Sequence, residues 1–127
     1  MKVFSTYYDN VPKLGKAVYT FVRVSCAGPP EWFSQAAGNY ADLSGTFGPT
    51  PAMLDECHPT KDWGAFVPRY HKEILGVLDK EKTLAVLEKI YTEHGSRPLV
   101  LTCYEAPPEN CHRHLIGAFL GIDIEEI

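Results

Sequence analysis

The chain has no long apolar run and no excess of basic charge. No apolar stretch approaches the ~18 residues that a membrane helix requires, and residues 1–8 lack the apolar core and small-residue cleavage site of a signal peptide. The formal net charge of −4 argues against a broad basic surface. We therefore expect a cytoplasmic protein with no membrane contact and no extended nucleic-acid surface. A local pocket for one phosphate or carboxylate is compatible with this charge.

Cysteine is scarce and widely spaced. The chain has four, Cys26, Cys57, Cys103 and Cys111, and without an export signal we expect them to be reduced. Structural zinc sites draw on close pairs such as C-x₂-C, which the chain lacks. Although Cys26, Cys103, Cys111 and His112 are suitable ligand types, their spacing predicts no metal, and nothing indicates a cofactor.

Length and composition fit one domain that spans residues 1–127. The chain is 45% hydrophobic and 22% charged, as is usual for globular domains of ~100–150 residues. Residues 17–25 are apolar enough for a strand covered on both faces. The order of the elements predicts an α/β fold, with a mainly parallel sheet of three to four strands flanked by helices. The predicted strands are residues 2–8, 17–25, 99–103 and 122–127.

Two helices are indicated by apolar side chains at steps of three and four. Residues 62–78 carry such a stripe, with Asp62 as the N-cap, provided that Pro68 falls in the first turn. Residues 80–94 carry a second stripe, and Asp79 is the predicted cap there. Shorter helices are predicted at residues 31–37 and 109–120, and residues 38–51 are predicted to be an irregular loop.

Two predicted strands end in side chains that can do chemistry. Ser25 and Cys26 end one strand, and Cys-Tyr-Glu at residues 103–105 ends another. The carboxyl ends of parallel strands meet at one edge of a sheet, where open α/β folds bind their ligands. Cys-His-Arg at residues 111–113 then opens a predicted helix. We therefore predict a pocket formed by these segments.

Each residue of this cluster has a chemical role that suits a helix start. Free N–H groups and the helix dipole favour an anion there, and Arg113 would add a forked donor for phosphate or carboxylate. His112 would exchange protons near neutral pH, while the dipole would lower the pKa of the Cys111 thiol. Glu105 would orient His112 or Arg113, or act as a general base.

Structural roles compete with these assignments. Cysteines at strand ends are most often small core residues, which applies to Cys103 and Cys26. His112 fits equally well as a structural histidine bonded to a backbone carbonyl, and Glu105 could bind first-turn N–H groups. The histidines predicted to lie on the surface are His58, His71, His94 and His114.

The same residues carry a resemblance to a known family. The stretch VLTCYEAPPENCHRHLIGAFL, residues 100–120, resembles the signature of the DUF488 family of uncharacterised proteins, in which a strand ends in cysteine and a Cys-His-Arg triplet opens a helix. Residues 25–33 are similar to a strand-end stretch of that family's short branch, although Ala27 stands where the branch often has arginine. Phe66 likewise replaces a frequent tyrosine. The resemblance implies a Rossmann-like α/β fold and a pocket built from these segments, but no reaction.

Together these features favour an enzyme, a hydrolase or transferase that acts on a small phosphorylated or nucleotide-like substrate. Cys103 or Cys111 would be the nucleophile or shape the pocket, and His112 or Glu105 would transfer protons. The predicted ligand-binding residues are Arg113, Tyr7, Ser25, Cys26, Trp32, Tyr70 and Tyr104. The alternatives are a non-catalytic protein that senses a small anionic or nucleotide-like ligand in this pocket, and an interaction module that binds a protein partner through residues 38–60.

Overall fold

A single parallel sheet is the frame of the molecule. The computed structural model describes the backbone of residues 1–57 and 59–127, and the side chains outside residues 55–61. Within these described residues the strands are Val3–Tyr7 (β1), Thr20–Arg23 (β2), Ala41–Asp42 (β3), Leu99–Cys103 (β4) and Ile124–Glu126 (β5). Their order is β3-β2-β4-β1-β5, and every neighbouring pair is parallel. The predicted α/β fold is confirmed, with five strands in place of three to four.

Strand β4 lies at the centre of the sheet, and all five of its residues are buried. β1 pairs with one side of it, where Tyr7 lies opposite Cys103. β2 pairs with the other side, where Arg23 lies opposite Thr102. The carboxyl ends of these three strands therefore meet at one edge, which is the usual ligand-binding edge of such folds.

Helices cover both faces of the sheet. They are Val11–Leu14 (α1), Phe33–Ala37 (α2), Ser44–Phe47 (α3), Pro51–Cys57 (α4), Pro59–Glu73 (α5), Lys80–Glu93 (α6) and Arg113–Leu120 (α7). Successive strand residues point to opposite faces, so Phe21 packs with Val11 of α1 and Phe33 of α2, while Val22 joins the core beneath α3 to α7. Among the described residues, no helix has the length and apolar character needed to cross a bilayer.

Helix α5 changes direction at Asp62, whose backbone is non-helical (φ −151°, ψ 82°). The Asp62 carboxylate accepts a hydrogen bond from the backbone N–H of Ala65 (3.0 Å), so the second part of α5 has its own N-cap. Asp79 caps α6 in the same way, with the N–H of Lys82 at 3.0 Å. Both predicted caps are confirmed. Pro68, however, lies inside the helix and not in its first turn.

The segment predicted to be irregular, residues 38–51, is partly regular. It contains β3 and α3, because the backbone continues to pair with β2: the N–H of Leu43 donates to the carbonyl oxygen of Arg23 at 2.8 Å. A strand of two residues is too short to produce a readable alternation of apolar and polar positions. The sequence pattern therefore missed it.

The helix predicted at residues 109–120 begins later, at Arg113. A tight turn precedes it, in which the N–H of His114 donates to the carbonyl oxygen of Cys111 at 3.0 Å and that of Leu115 to His112 at 2.9 Å. His112 is therefore the N-cap residue of α7, and Cys111 lies one residue before it. The predicted helix start holds for His112 and Arg113 and is corrected for Cys111.

Candidate functional site

A pocket of about 350 Å³ lies where β2 and β4 end. Cys103 closes β4, and Ser25 and Cys26 follow β2, so the parallel pairing of the two strands brings both segments together. Residues before and within α4 complete the cavity. The described residues that line it are Ser25, Cys26, Ala27, Pro49, Leu54, Cys103, Tyr104, Glu105 and His112.

The thiol of Cys103 lines the pocket next to the side chains of Glu105 and His112. Its side chain lines the cavity, although the residue is only 3% exposed. The thiol donates a hydrogen bond to Glu105 Oε2, with sulfur and oxygen 3.7 Å apart, and its Sγ lies 3.9 Å from each ring nitrogen of His112. Cys111 is fully buried, with its Sγ 3.8 Å from Nδ1 of His112. Of these two clustered sulfurs, only that of Cys103 belongs to a lining residue, and the free thiol of Cys26 lines the same pocket.

His112 is held by the main chain that continues β2. Its Nε2 lies 2.7 Å from the carbonyl oxygen of Val24. A carbonyl oxygen only accepts hydrogen bonds, so Nε2 carries the hydrogen. Nδ1 is then the ring nitrogen available to exchange a proton with the two sulfurs. The ring also packs against Tyr70, with the ring centroids 5.5 Å apart, which limits its rotation.

The two thiols of the cluster have opposite pKa shifts. Burial alone would raise the pKa of Cys111, but hydrogen bonds with Cys103 and His112, and the nearby charges of His112 and Arg113, lower it well below the usual value. The hydrogen bond to Cys111, together with burial, raises the pKa of Cys103. These shifts favour the thiolate at Cys111 and the protonated thiol at Cys103.

Glu105 is the acidic group of the lining. The side chain is half-buried, and burial together with the charge of Cys111 raises the pKa of its carboxyl group. No lysine or arginine is among the described lining residues. A molecule at this wall therefore meets thiol, imidazole and carboxyl groups, and no cation.

Tyrosine side chains hold the opposite wall. Ser25 donates its hydroxyl hydrogen to the carbonyl oxygen of Ala27 (2.8 Å), so the Tyr8 hydroxyl, 2.6 Å from that of Ser25, is the donor to Ser25. Tyr104 packs edge-on against Tyr8, with ring centroids 4.5 Å apart, and its hydroxyl donates to the carbonyl oxygen of Gly28. These bonds tie the segment after β2 to the segment after β4.

The chain leaves the sheet at Cys103 and returns to the same cluster at Cys111. Between them, residues 107–110 are exposed, whereas both cysteines are buried. The connection is thus a surface loop anchored at each end by a sulfur of the site.

A family profile matches residues 18–122, more than four-fifths of the chain, and is described as DUF488-N3a, the active DUF488-N3 subclade. The chain belongs to this family. The predicted resemblance to DUF488 is therefore confirmed. The matched range contains Cys103, Cys111 and His112, whereas β1 and β5 lie outside it. No curated protein and no solved structure matches the chain.

Arg113 does not line the pocket of this DUF488-N3a protein. It is fully buried, and its guanidinium group binds Glu126 of β5 at two points, Nε to Oε1 at 3.0 Å and Nη2 to Oε2 at 2.9 Å. Ser5 and His114 also contact Oε1 of Glu126, at 2.7 and 3.0 Å. The sequence analysis assigned the Arg113 guanidinium group to a phosphate or carboxylate of the ligand. In the structure it binds the carboxylate of Glu126 instead.

The other predicted ligand-binding residues divide into two groups. Ser25, Cys26 and Tyr104 line the pocket, whereas Tyr7, Trp32 and Tyr70 are not part of its lining. Tyr70 is fully buried, and its hydroxyl donates to the carbonyl oxygen of Phe47 at 2.6 Å. Trp32 is 38% exposed just before α2. The adjacent Tyr8, and not Tyr7, forms a hydrogen bond with a lining residue, through its hydroxyl to that of Ser25.

Some predicted positions lie outside the described residues. They are His58, the side chain of Cys57 and the last part of the 38–60 segment proposed as an interaction surface. Cys26, Cys103 and Cys111 form no disulfide among the described residues, and the reduced state of all four cysteines stays a prediction. His71 and His114 are exposed and His94 is partly exposed, and His114 also contacts Glu126.

Sequence reasoning missed three contributors to the site. The carbonyl oxygen of Val24 has no signature, because every residue type supplies one. Tyr8 follows Tyr7 directly, and a shift of one residue exchanges the two faces of a strand. Glu126 carried a usable signal: in a strand, Ile124 and Glu126 point to the same face, so a half-buried carboxylate there needs a partner such as Arg113.

Proposed function

We propose that the chain is an enzyme, a thiol-dependent hydrolase or transferase that reacts at the wall formed by Cys103, Glu105 and His112. The observation that carries the proposal is the bond from His112 Nε2 to the Val24 carbonyl oxygen (2.7 Å), which leaves Nδ1 3.8 and 3.9 Å from the two sulfurs. A nucleophile, a base within reach and a group that orients the base are the parts that covalent catalysis uses. The subclade is described as active, which supports catalysis without naming a reaction.

The proposed reaction has two steps. In the first, Cys103 passes its proton to the neighbouring Cys111–His112 pair, its sulfur bonds to an electrophilic carbon of the substrate, and the leaving group departs with its electron pair and a proton from Glu105. In the second, water or an acceptor hydroxyl attacks the same carbon and gives its proton to Glu105. The carbon–sulfur bond breaks, and Cys103 regains its proton. With water the chain is a hydrolase, and with an acceptor molecule it is a transferase.

The lining favours a substrate whose reacting part carries no negative charge. A thiolate at Cys111 would repel an anion, and no lysine or arginine is among the described lining residues to offset that repulsion. We therefore expect the phosphate of a nucleotide-like substrate to lie outside the pocket while its base or sugar enters. A cavity of about 350 Å³ is within the range of roughly 300–1,000 Å³ for small-molecule sites.

Alkylation of the reduced, metal-free protein tests the nucleophile. Iodoacetamide is neutral and iodoacetate is anionic, so comparing the two reports both thiol reactivity and local charge. We expect iodoacetamide to modify Cys103 before Cys111, as read by peptide mass spectrometry. The ratio of the iodoacetamide rate to the iodoacetate rate should be roughly 10-fold larger for Cys103 than for free cysteine. A repulsion of ~1.4 kcal/mol between the site and iodoacetate would produce this difference.

The base is tested by His112→Gln. Alkylation of Cys103 should slow by roughly 100-fold, the lower end of what a positioned base contributes. His71→Gln is the matched control, because His71 is exposed and its loss should leave the rate unchanged. Circular dichroism of each variant checks that the fold is retained.

Acyl transfer from p-nitrophenyl acetate tests covalent catalysis. We expect a burst of one p-nitrophenol per chain and an acetyl group on the Cys103 peptide, both abolished in Cys103→Ser. If Cys103 reacts with iodoacetamide but no acyl-enzyme forms with this or other small esters, a non-catalytic sensing pocket is the better assignment. A Cys103 that reacts no faster than Cys111 would contradict the proposed nucleophile.

A further inference from the structure

Three side chains beside the pocket are those that soft divalent metal ions prefer. The ligand atoms of Cys103, Cys111 and His112 all lie within 4.8 Å of one another, and all three residues are buried. Thiolate and imidazole are the usual ligands of zinc, and catalytic or regulatory zinc sites commonly use three protein ligands with a fourth position open. The cluster therefore has the ligand number and type of an open zinc site.

The spacing of these atoms suits tetrahedral zinc. Zinc–sulfur bonds of ~2.3 Å and zinc–nitrogen bonds of ~2.0–2.1 Å at the tetrahedral angle separate sulfur from nitrogen by about 3.6 Å. In this protein, Nδ1 of His112 lies 3.9 Å from Sγ of Cys103 and 3.8 Å from Sγ of Cys111. Shifts of a few tenths of an ångström would suffice for these two sulfur–nitrogen pairs, and the two sulfurs, which lie within 4.8 Å of each other, would need to be about 3.8 Å apart.

The second nitrogen of His112 has the partner that metal-binding histidines usually have. Its Nε2 donates to the Val24 carbonyl oxygen at 2.7 Å, and such a bond orients the ring and leaves the other nitrogen free for the metal. The sequence analysis predicted no metal because Cys103 and Cys111 do not form a close pair in the chain. That argument concerned zinc knuckles, and it does not apply to ligands that the end of β4 and the turn before α7 bring together.

We propose that Cys103, Cys111 and His112 bind one zinc ion, and that bound zinc masks the thiol of Cys103. The fourth coordination position would face the pocket, where Glu105 Oε2 lies 3.7 Å from Sγ of Cys103. The masking part rests on the proposed function, because the same sulfur is the nucleophile there. Bonding to zinc withdraws electron density from a thiolate and lowers its nucleophilicity, so bound zinc should slow the reaction of Cys103 with a substrate carbon. The binding part stands on geometry alone.

Cobalt substitution tests the binding part without any enzymatic assay. The full chain is reduced, freed of metal with a chelator and titrated with Co²⁺, which gives thiolate-to-metal charge-transfer absorption only when sulfur is a ligand. We expect one Co²⁺ per chain, displaced by one Zn²⁺. Cys103→Ser and Cys111→Ser should each weaken binding by more than about 10-fold, since even outer-shell changes cost 10- to 100-fold.

Two control variants separate the cluster from the other thiols and imidazoles. Cys26→Ser removes a free thiol that lines the same pocket but lies outside the cluster, and His71→Gln removes an exposed imidazole. Both should keep the charge-transfer band. A band that is absent from the natural sequence, or that survives in both Cys103→Ser and Cys111→Ser, would overturn the zinc site. Circular dichroism excludes unfolding as the cause of a lost band.

The masking part has its own readout. One equivalent of Zn²⁺ should protect Cys103 from iodoacetamide, and chelator should restore the reaction. Cobalt binding together with undiminished alkylation would refute masking and leave the zinc site standing. Absence of metal binding together with rapid alkylation of Cys103 would refute the zinc site and leave the proposed nucleophile standing. Failure of one proposal is thereby distinguished from failure of the other.

Discussion

The imidazole of His112 donates a hydrogen bond from Nε2 to the backbone carbonyl oxygen of Val24, at a distance of 2.7 Å. The acceptor belongs to the main chain, so no substitution of the Val24 side chain removes it directly. The bond joins the end of β2 to the turn before α7, and it directs Nδ1 towards two sulfurs. The orientation of the ring therefore depends on the pairing of β2 with β4, and the chemistry of the site depends on the sheet.

Loss of the Glu126 carboxylate should destabilise the protein strongly. Arg113 is fully buried and Glu126 is its partner, so Glu126→Ala leaves a buried charge without compensation. We expect a loss of about 3–5 kcal/mol in the free energy of unfolding, measured with urea. Glu93→Ala is the control, because Glu93 forms an exposed i,i+4 pair with Lys89 worth only about 0.3–0.5 kcal/mol. Equal, small losses in both variants would contradict the buried ion pair.

Acid should weaken the same interaction. Burial opposes ionisation of Glu126, but hydrogen bonds from His114, Arg113 and Ser5 lower the pKa of its carboxyl group to about 2. Its folded pKa is below the unfolded value of ~4.3, so its contribution is complete above that value and is lost as pH falls towards 2. The stability difference between the natural sequence and Glu126→Gln should shrink as pH falls from 5 to the lowest pH at which both fold. A difference that stays constant would show that folding does not lower the pKa of this carboxyl group.

A methyl group at Gly48 should disturb the pocket. An added Cβ would lie 2.5 Å from the carbonyl oxygen of Ser44 and 3.3 Å from that of Ser25, so the backbone at Gly48 would have to shift. The next residue, Pro49, lines the pocket. We expect Gly48→Ala to cost about 1–3 kcal/mol, as overpacking does, and to change the alkylation rate of Cys103. Gly45→Ala, in helix α3 just before Gly48 and with open space around the added Cβ, should have neither effect.

Tyr70 should act in stability and not in ligand contact. Its hydroxyl donates to the carbonyl oxygen of Phe47 at 2.6 Å, and both groups are buried. Tyr70→Phe leaves that oxygen unsatisfied and should cost about 1–3 kcal/mol. The ring against His112 is retained, so alkylation of Cys103 should change by less than about 2-fold. A Tyr70→Phe variant of unchanged stability but altered alkylation would instead indicate a functional hydroxyl.

Most of the fold was accessible from the sequence, because its buried strands are continuous apolar runs. Residues 20–25 and 99–103 are buried, and such strands have a strong compositional signal, although β2 begins at Thr20 and the first residues of the predicted range 17–25 are exposed. The caps at Asp62 and Asp79 were equally readable, since a side-chain oxygen before an apolar stripe has a local physical cause. β3 was not readable, because it is formed by pairing with the edge of β2 and not by its own composition.

The site was only partly accessible, because its geometry is long-range. Cys103, Glu105 and His112 were identified from their positions at the ends of elements, and they do meet at one pocket. Arg113 has the same local setting, yet its side chain turns to Glu126, a choice that depends on where β5 pairs with β1. The local sequence indicates which side chains lie near the carboxyl ends of the strands. The direction in which each side chain points depends on contacts with residues far away in the sequence.

The surface loop anchored by Cys103 and Cys111 has a consequence for redesign of this protein. Its tip, residues 107–110, is exposed, while the two sulfurs at its ends are buried and held by neighbours in the core. Exposed loop tips accept substitutions and insertions more readily than the elements that they join. New residues introduced at this tip should therefore leave the reactive groups in their positions.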